Sequence, residues 1–370
     1  MIKKFLILFF LFCAVIPFPA SAELELGGYY KNDIYLLFTR KGKGIAADVN
    51  KLKLQIDYQL LENAEIYFSP YYVFLAKTEE IPLLDVTDLD KVTFDRAYVK
   101  VAFPFADVTA GRQRVAWGTG YVFNPTDIFN PFALTFAVAD EDRPGIDAVR
   151  ANFPLGPLSR FEAILLTDNE FSSLNKSKKG FKGKTNIGMY DLSLSYVALG
   201  DEGFQFGFDT AGELLGLGVR AEAAIINENA DEDYSSKAIL GWNYTFENGI
   251  GIDMEYFYNG EGQRDKSKYD WSGLFAGKIY QLGTDYLFFG LNKLLDEITT
   301  VSLSFLWNMN DSGFIVYPAF SRNIFENVDL NLEALIAGGD SGSEYKPSDA
   351  EDPSGLLGSN TLYIKFKCSF

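Results

Sequence analysis

Residues 51–60 read KLKLQIDYQL, which puts Leu52, Leu54, Ile56, Tyr58 and Leu60 on one face of an extended chain. Lys51, Lys53, Gln55, Asp57 and Gln59 fall on the other face. A period of two marks a β-strand with one apolar and one polar side. The last ten residues, TLYIKFKCSF, repeat the pattern: Leu362, Ile364, Phe366, Cys368 and Phe370 alternate with Thr361, Tyr363, Lys365, Lys367 and Ser369. Similar segments of about ten residues, separated by turn-rich stretches, recur from residue 23 onward. No segment beyond residue 22 has the ~18 consecutive apolar residues of a spanning helix.

Short turns are expected at Leu61–Asn63, Pro104–Ala106, Pro154–Pro157, Met189–Asp191, Ala211–Leu214, Glu247–Gly249, Asn292–Leu295 and Asn323–Asn327. Longer polar connections centre near residues 45, 83, 130, 176, 201, 231, 269, 311 and 348. Together they join eighteen antiparallel strands, with both termini on the short-turn side. Without the turns at 189–191 and 211–214 the count would be sixteen. Residues 23–370 show no solenoid period and no domain boundary.

Such alternation suits either a soluble sandwich or a closed barrel in lipid. The N-terminal segment MIKKFLILFFLFCAVIPFPASA separates the two. Lys3 and Lys4, the apolar run Phe5 to Phe18 and the small residues Ala20-Ser21-Ala22 form a secretory signal peptide, residues 1–22. Its removal takes away two lysines and no acid, so the charge moves from −17 to −19, and Cys368 is left without a disulfide partner. Export, the terminal Phe370 and a 16% aromatic content favour lipid as the apolar partner. In a bilayer only closure satisfies every strand N–H and C=O. The expected fold is therefore an all-β transmembrane barrel over 23–370 in a bacterial outer membrane. With Phe366 and the terminal Phe370, the last strand resembles that of bacterial outer-membrane β-barrels, which implies that the barrel assembly machinery reads it.

If the apolar face meets lipid, the alternate positions line a lumen. Arg96 and Lys100, Arg112 and Arg114, Arg150, and Arg160 fall on four consecutive expected strands and predict a basic patch. Asp253, Glu255, Asp329 and Glu333 predict an acidic sector. A transverse field between them would orient charged solutes; the same charges could instead pair across strands and hold the wall together.

The stretch GRQRVAWGTGYVFNPTDIFNPF, residues 111–132, runs from the expected strand of Arg112 and Arg114 into the longest connection of the chain. Trp117 would end that strand near the outer interface. Pro125 and Pro131 restrict Asn124 and Asn130, while Gly118 and Gly120 permit a sharp change of direction. The loop, including Asp127, is stiff and aromatic. It is expected to fold inward and narrow the bore rather than cap a neighbour.

The run RAYVKVAF, GRQRVAWGTGYVFNPTDIFNPF and DRPGIDAVR, residues 94–153, resembles a group of Gram-negative outer-membrane porin-like proteins. That group is related in pattern to alginate-export and phosphate-selective barrels. The resemblance implies an inward loop and inward arginines along a path for anionic solutes or polysaccharide. The net acidity of this chain departs from that pattern.

TRKGKG at 39–44 and NKSKKGFKGK at 175–184 are expected as basic outer loops able to meet lipopolysaccharide phosphates. TEEIPLLDVTDLD, NENADEDY and SDAEDPSG are acidic and match no Ca²⁺ loop spacing. Acidity argues against nucleic acid as a partner. With no histidine, Ser-His and Asp-His arrangements and histidine zinc sites are excluded. The expectation is a channel with no enzyme activity, cofactor or metal, and with lipid, lipopolysaccharide, small solutes and, in a homotrimer, two further copies of itself as partners. A polymer export conduit and a non-conducting structural barrel are the alternatives.

Overall fold

The computed structural model describes residues 23–78, 91–129, 145–167, 177–200, 203–227 and 234–370. The expected signal peptide and the loop residues Asn130 and Pro131 lie outside the described residues.

Eighteen strands form one sheet. The first six are β1 (Glu23–Phe38), β2 (Gly44–Leu61), β3 (Ala64–Thr78), β4 (Val92–Phe103), β5 (Ala106–Gln113) and β6 (Ile146–Pro154). The next six are β7 (Arg160–Leu166), β8 (Lys179–Ile187), β9 (Tyr190–Ala198), β10 (Phe204–Leu214), β11 (Leu217–Asn227) and β12 (Ser235–Thr245). The last six are β13 (Ile250–Asn259), β14 (Asp285–Asp296), β15 (Thr299–Asn308), β16 (Phe314–Phe325), β17 (Val328–Gly338) and β18 (Asn360–Ser369). Each strand pairs antiparallel with its neighbours in sequence, and β1 also pairs with β18, from Tyr29↔Ser369 to Phe38↔Asn360. The sheet has no free edge.

Turn chemistry explains most of the short connections. Leu215, Asn327, Gly188 and Gly249 adopt positive φ at strand reversals. Two turns fall later than the residue pattern indicates: β10 runs through Leu214 and β14 through Asp296. Both strands have apolar residues on each parity near their ends, so alternation does not locate the reversal. The basic stretch 175–184 is also not all loop, because Lys179, Lys182 and Lys184 belong to β8.

Residues directly opposite on antiparallel neighbours share a face, so the register assigns both faces around the ring. Leu192, Leu194, Phe206, Leu240, Phe289, Leu303, Phe320, Leu332, Ile364 and Phe366 form an outward apolar belt. Phe366 and Phe370 both face outward, and the backbone of Phe370 exchanges hydrogen bonds with Gly28. The inward face is polar except where residues 115–129 pack onto it.

Candidate functional site

Beyond Gln113 the chain leaves the wall and enters the bore. Trp117, expected near the outer interface, is buried instead. Its indole N–H donates to Glu162 at 2.6 Å, its ring meets Phe129 edge-on at 4.8 Å, and Lys182 lies over it at 5.7 Å. Val115, Trp117 and Phe129 join Ala148, Ile164 and Val197 of the wall in one apolar cluster. Gly180 provides the room, since a Cβ there would enter the Trp117 and Phe129 rings.

Two inward carboxylates then capture the loop by its backbone. Glu222 accepts the N–H groups of Thr119, Gly120 and Thr126 and the Thr126 hydroxyl. Glu255 accepts three consecutive N–H groups, from Tyr121 at 2.7 Å, Val122 at 3.0 Å and Phe123 at 2.9 Å, and takes the guanidinium of Arg220 at 2.9 Å. Gly118 at φ +98° and Gly120 keep the backbone close to these acids and to Ile239. Between the anchors Phe123 stacks on Phe257 at 4.3 Å, within a cluster that includes Ile239, Tyr286, Phe288 and Leu306. Pro125 and Asp127 are buried where the loop turns back, and Asp127 N–H donates to the Asn124 carbonyl. Loop backbone that leaves a sheet must find other acceptors; here two glutamates supply them.

The loop's carboxylate and ring partners lie on β7 to β14, which leaves β18 to β4 as the facing wall. One hydrogen-bonded row there is Lys367–Lys31–Lys51. Lys53 and Lys365 lie in adjacent rows, bonded to Asp95 at 2.6 Å and Glu333 at 2.5 Å. Tyrosines alternate with these cations: Lys367 and Lys53 lie over Tyr29, Lys51 over Tyr71 and Lys365 over Tyr363. Tyr67 and Tyr98 stack beside them at 5.3 Å.

Of the expected basic patch, Arg96, Lys100, Arg150 and Arg160 occupy inward positions. They are not a bare cluster. Arg96 meets Asp95 at 3.6 Å, Lys100 meets Glu65 at 3.4 Å, and Arg150 meets Glu162 at 2.6 Å. Arg160 lies opposite Lys184, which pairs with Asp191.

Arg112 requires a correction. It pairs in register with Ala97 and Asp147, so it shares the outward face, while Thr109, Gly111 and Gln113 share the inward face with Lys100 and Arg150. Its guanidinium binds both oxygens of Asp147 and the Phe94 carbonyl. Arg114 follows the last residue of β5. The sequence ADVTAGRQ has weak alternation, and the parity of this strand is decided by its neighbours.

The expected acidic sector is also used up. Glu255 is beneath the loop and Asp253 lies 3.9 Å from Arg220. Glu333 takes Tyr317 and Lys365, and Asp329 takes Asn323. Residue reading missed Glu222, Arg220, Lys182 and the Lys31–Lys51–Lys367 row. Inward parity alone marks them all, and Lys51, Lys365 and Lys367 stand in the clearest alternating segments. Among the described residues no group of acids or cysteine forms a metal site.

No protein-family model and no curated protein matches the chain by sequence, so the resemblance of residues 94–153 rests on pattern alone. Solved structures match it by shape. OpdK, an outer membrane protein from Pseudomonas aeruginosa, superposes with a TM-score of 0.63 at 8% identity, over 94% of this chain and 98% of that one. A substituted form of OccD1 (OprD) gives 0.60 at 11% identity, over 96% and 97%. A triple mutant of the Rhodopseudomonas blastica porin gives 0.53 at 12% identity, over 94% and 100%. At these identities the likeness is one of fold: a porin-like barrel.

Proposed function

We propose that this protein is an outer-membrane channel for passive passage of small polar solutes, with anions favoured. The carrying observation is the inward loop Gly118–Phe129, pinned by Glu222 and Glu255 to one side of the bore and facing a wall of lysines and tyrosines. A loop held by seven described backbone and side-chain donors narrows the passage without depending on solute to order it. Along the facing wall Lys31, Lys51, Lys53, Lys365, Lys367 and Arg96 lie in neighbouring rows with Asp33, Asp95 and Glu333 among them, while Glu23, Glu25, Asp57 and Glu65 share the inward face nearer the short turns. Charge of one sign in a narrow bore selects ions by field rather than by fit. The outer-membrane address rests on the outward apolar belt together with the porin-like fold.

The test is single-channel conductance of refolded Glu23–Phe370 in planar bilayers, with the reversal potential under a KCl gradient. Steady openings with anion preference, reduced in Lys31→Gln/Lys51→Gln/Lys367→Gln, support the reading. Cation preference in the unchanged protein refutes the assigned sign. Silence from correctly folded barrels refutes the channel and leaves a plugged structural barrel.

A further inference from the structure

The short turns divide the barrel rim into two unlike halves. From β12 round to β3 each turn carries an acid, among them Glu62, Glu247, Glu297 and Glu326, and Glu23 and Glu25 open β1 between them. From β4 to β11 the tips at 104–105, 155–159, 188–189 and 215–216 hold no charge. Phe105, Leu155, Leu158, Met189 and Leu215 are exposed there, Leu215 at 94%. The contrast is sharpest where the backbone is alike. Asn327 and Leu215 both stand in two-residue turns at positive φ, 62° and 55°. Asparagine suits such a position. A leucine there is strained, and in water its side chain would have no apolar contact.

Strand length supplies the reason. β5 to β9 have 8, 9, 7, 9 and 9 residues, whereas β1 to β3 have 16, 18 and 15. Strands of 7–9 residues tilted by roughly 40° rise about 18–23 Å, short of the roughly 25 Å apolar band of such barrels. This wall cannot slide toward the other surface, because the outward pair Arg112–Asp147 stands near the far ends of β5 and β6. On the short-turn side its outward columns stay apolar or aromatic to the last residue. Phe103, Phe153, Phe161, Ile187, Tyr190 and Leu214 face outward there and run into the turn tips. On β14 and β16 the outward columns instead reach Lys293 and Arg322, cations suited to a headgroup layer.

We propose that the rim from β4 to β11 is sunk in the leaflet on the short-turn side, with phospholipid acyl chains as the partner of its turn tips. The acidic half of the rim stands in water beyond the headgroups. The apolar tips continue the belt that faces lipid and complete the band that the short strands leave unfinished. The inference rests on the outer-membrane reading and is independent of what the bore conducts.

Nitroxide labels on the refolded 23–370 chain, in a Cys368→Ser background and in phosphatidylcholine–phosphatidylethanolamine vesicles, test this. The sites are Phe105→Cys, Met189→Cys and Leu215→Cys on the apolar half, Glu247→Cys and Glu326→Cys on the acidic half, and Leu240→Cys in the belt. Heat-shifted gel migration shows that each labelled barrel is folded. Collisions with oxygen, which concentrates in hydrocarbon, are compared with collisions with a water-soluble nickel chelate present on both sides of the vesicles. The three apolar-half labels should give oxygen-to-chelate ratios severalfold above those at Glu247 and Glu326 and close to that at Leu240. Chelate-open labels at Phe105, Met189 and Leu215 beside a protected Leu240 overturn the proposal and make the crescent a docking face for a soluble protein. Protection at Glu247 and Glu326 as well overturns the division of the rim. A chelate-open Leu240 in a folded barrel overturns the proposal together with the outer-membrane reading.

Discussion

Trp117 donates its indole N–H to Glu162 at 2.6 Å, and the other oxygen of that carboxylate takes Arg150 at 2.6 Å, so a loop residue is tied to an ion pair of the barrel wall. Trp117→Phe keeps the ring contact with Phe129 and removes the donor. The Glu162 oxygen it leaves is buried, which costs about 1–3 kcal/mol. Single-channel records should show increased open-state noise, with the mean reversal potential unchanged.

Glu222 and Glu255 hold the same loop but should differ in cost. Glu255→Ala orphans three N–H groups and also takes from the buried guanidinium of Arg220 its 2.9 Å partner, leaving Asp253 at 3.9 Å. Breaking a buried ion pair costs up to roughly 3–5 kcal/mol, and the Asp253 contact offsets part of that. Glu222→Ala orphans three N–H groups and the Thr126 hydroxyl, with no charge among them. Denaturant unfolding should therefore rank Glu255→Ala below Glu222→Ala. Adding Arg220→Met to Glu255→Ala should recover part of the loss, and both carboxylate variants should raise conductance by loosening the constriction.

Gly118→Ala should act like a weaker form of Glu222→Ala. At φ +98° an L side chain is strained by about 1–3 kcal/mol, and the new Cβ would point into the Glu222 carboxylate. Limited proteolysis within residues 118–129 should be faster in this variant than in the unchanged protein.

Arg112→Ala should leave ion selectivity unchanged, because Arg112 faces away from the lumen. Lys51→Gln should shift the reversal potential toward the cation side. Reversal potentials measured on the two variants in one salt gradient check the assignment of faces directly. A selectivity change in Arg112→Ala would place that side chain in the bore.

At the loop-side mouth Glu344 is fully buried, accepting from Leu282 N–H, the Tyr286 hydroxyl and the Asn308 amide. Burial pushes its carboxyl from the ordinary 4.5 up to about 7, with Asp311 adding to the rise. A folded-state value above the unfolded one means the folded mouth binds the extra proton. The stability Glu344 contributes is then full below about pH 4.5 and is lost as pH rises through about 7. Hydrogen exchange over residues 339–359, corrected for intrinsic rate, should be slower at pH 5 than at pH 8. Glu344→Gln should remove the difference.

The strand content and its closure follow from the sequence because alternation is a local property. Ten residues such as KLKLQIDYQL show which side must avoid water, and a chain with eighteen such segments satisfies its backbone in lipid by closing. The inward loop was also foreseeable, since proline, glycine and aromatic residues between 117 and 129 form a stiff apolar segment. Where alternation is weak the same reasoning fails. ADVTAGRQ contains an arginine that invites an inward assignment, and only pairing with Lys100 and Arg150 through Thr109 shows that Arg112 takes the other parity.

The sequence by itself determined the strand rhythm, with eighteen strands expected and sixteen the alternative, the side on which the turns lie and the segment that enters the bore, since each depends on residues close together in the chain. Tertiary structure alone decided which charges remain to line the passage. Glu222 and Glu255 look like lumen acids in sequence, but they are separated from their loop partners by roughly 100 residues or more and become its backbone acceptors. Lys31, Lys51 and Lys367 come from opposite ends of the chain and form a row because β1 closes the barrel between β2 and β18. Electrostatic character in a barrel depends on neighbours across the register, and register is a property of the closed sheet.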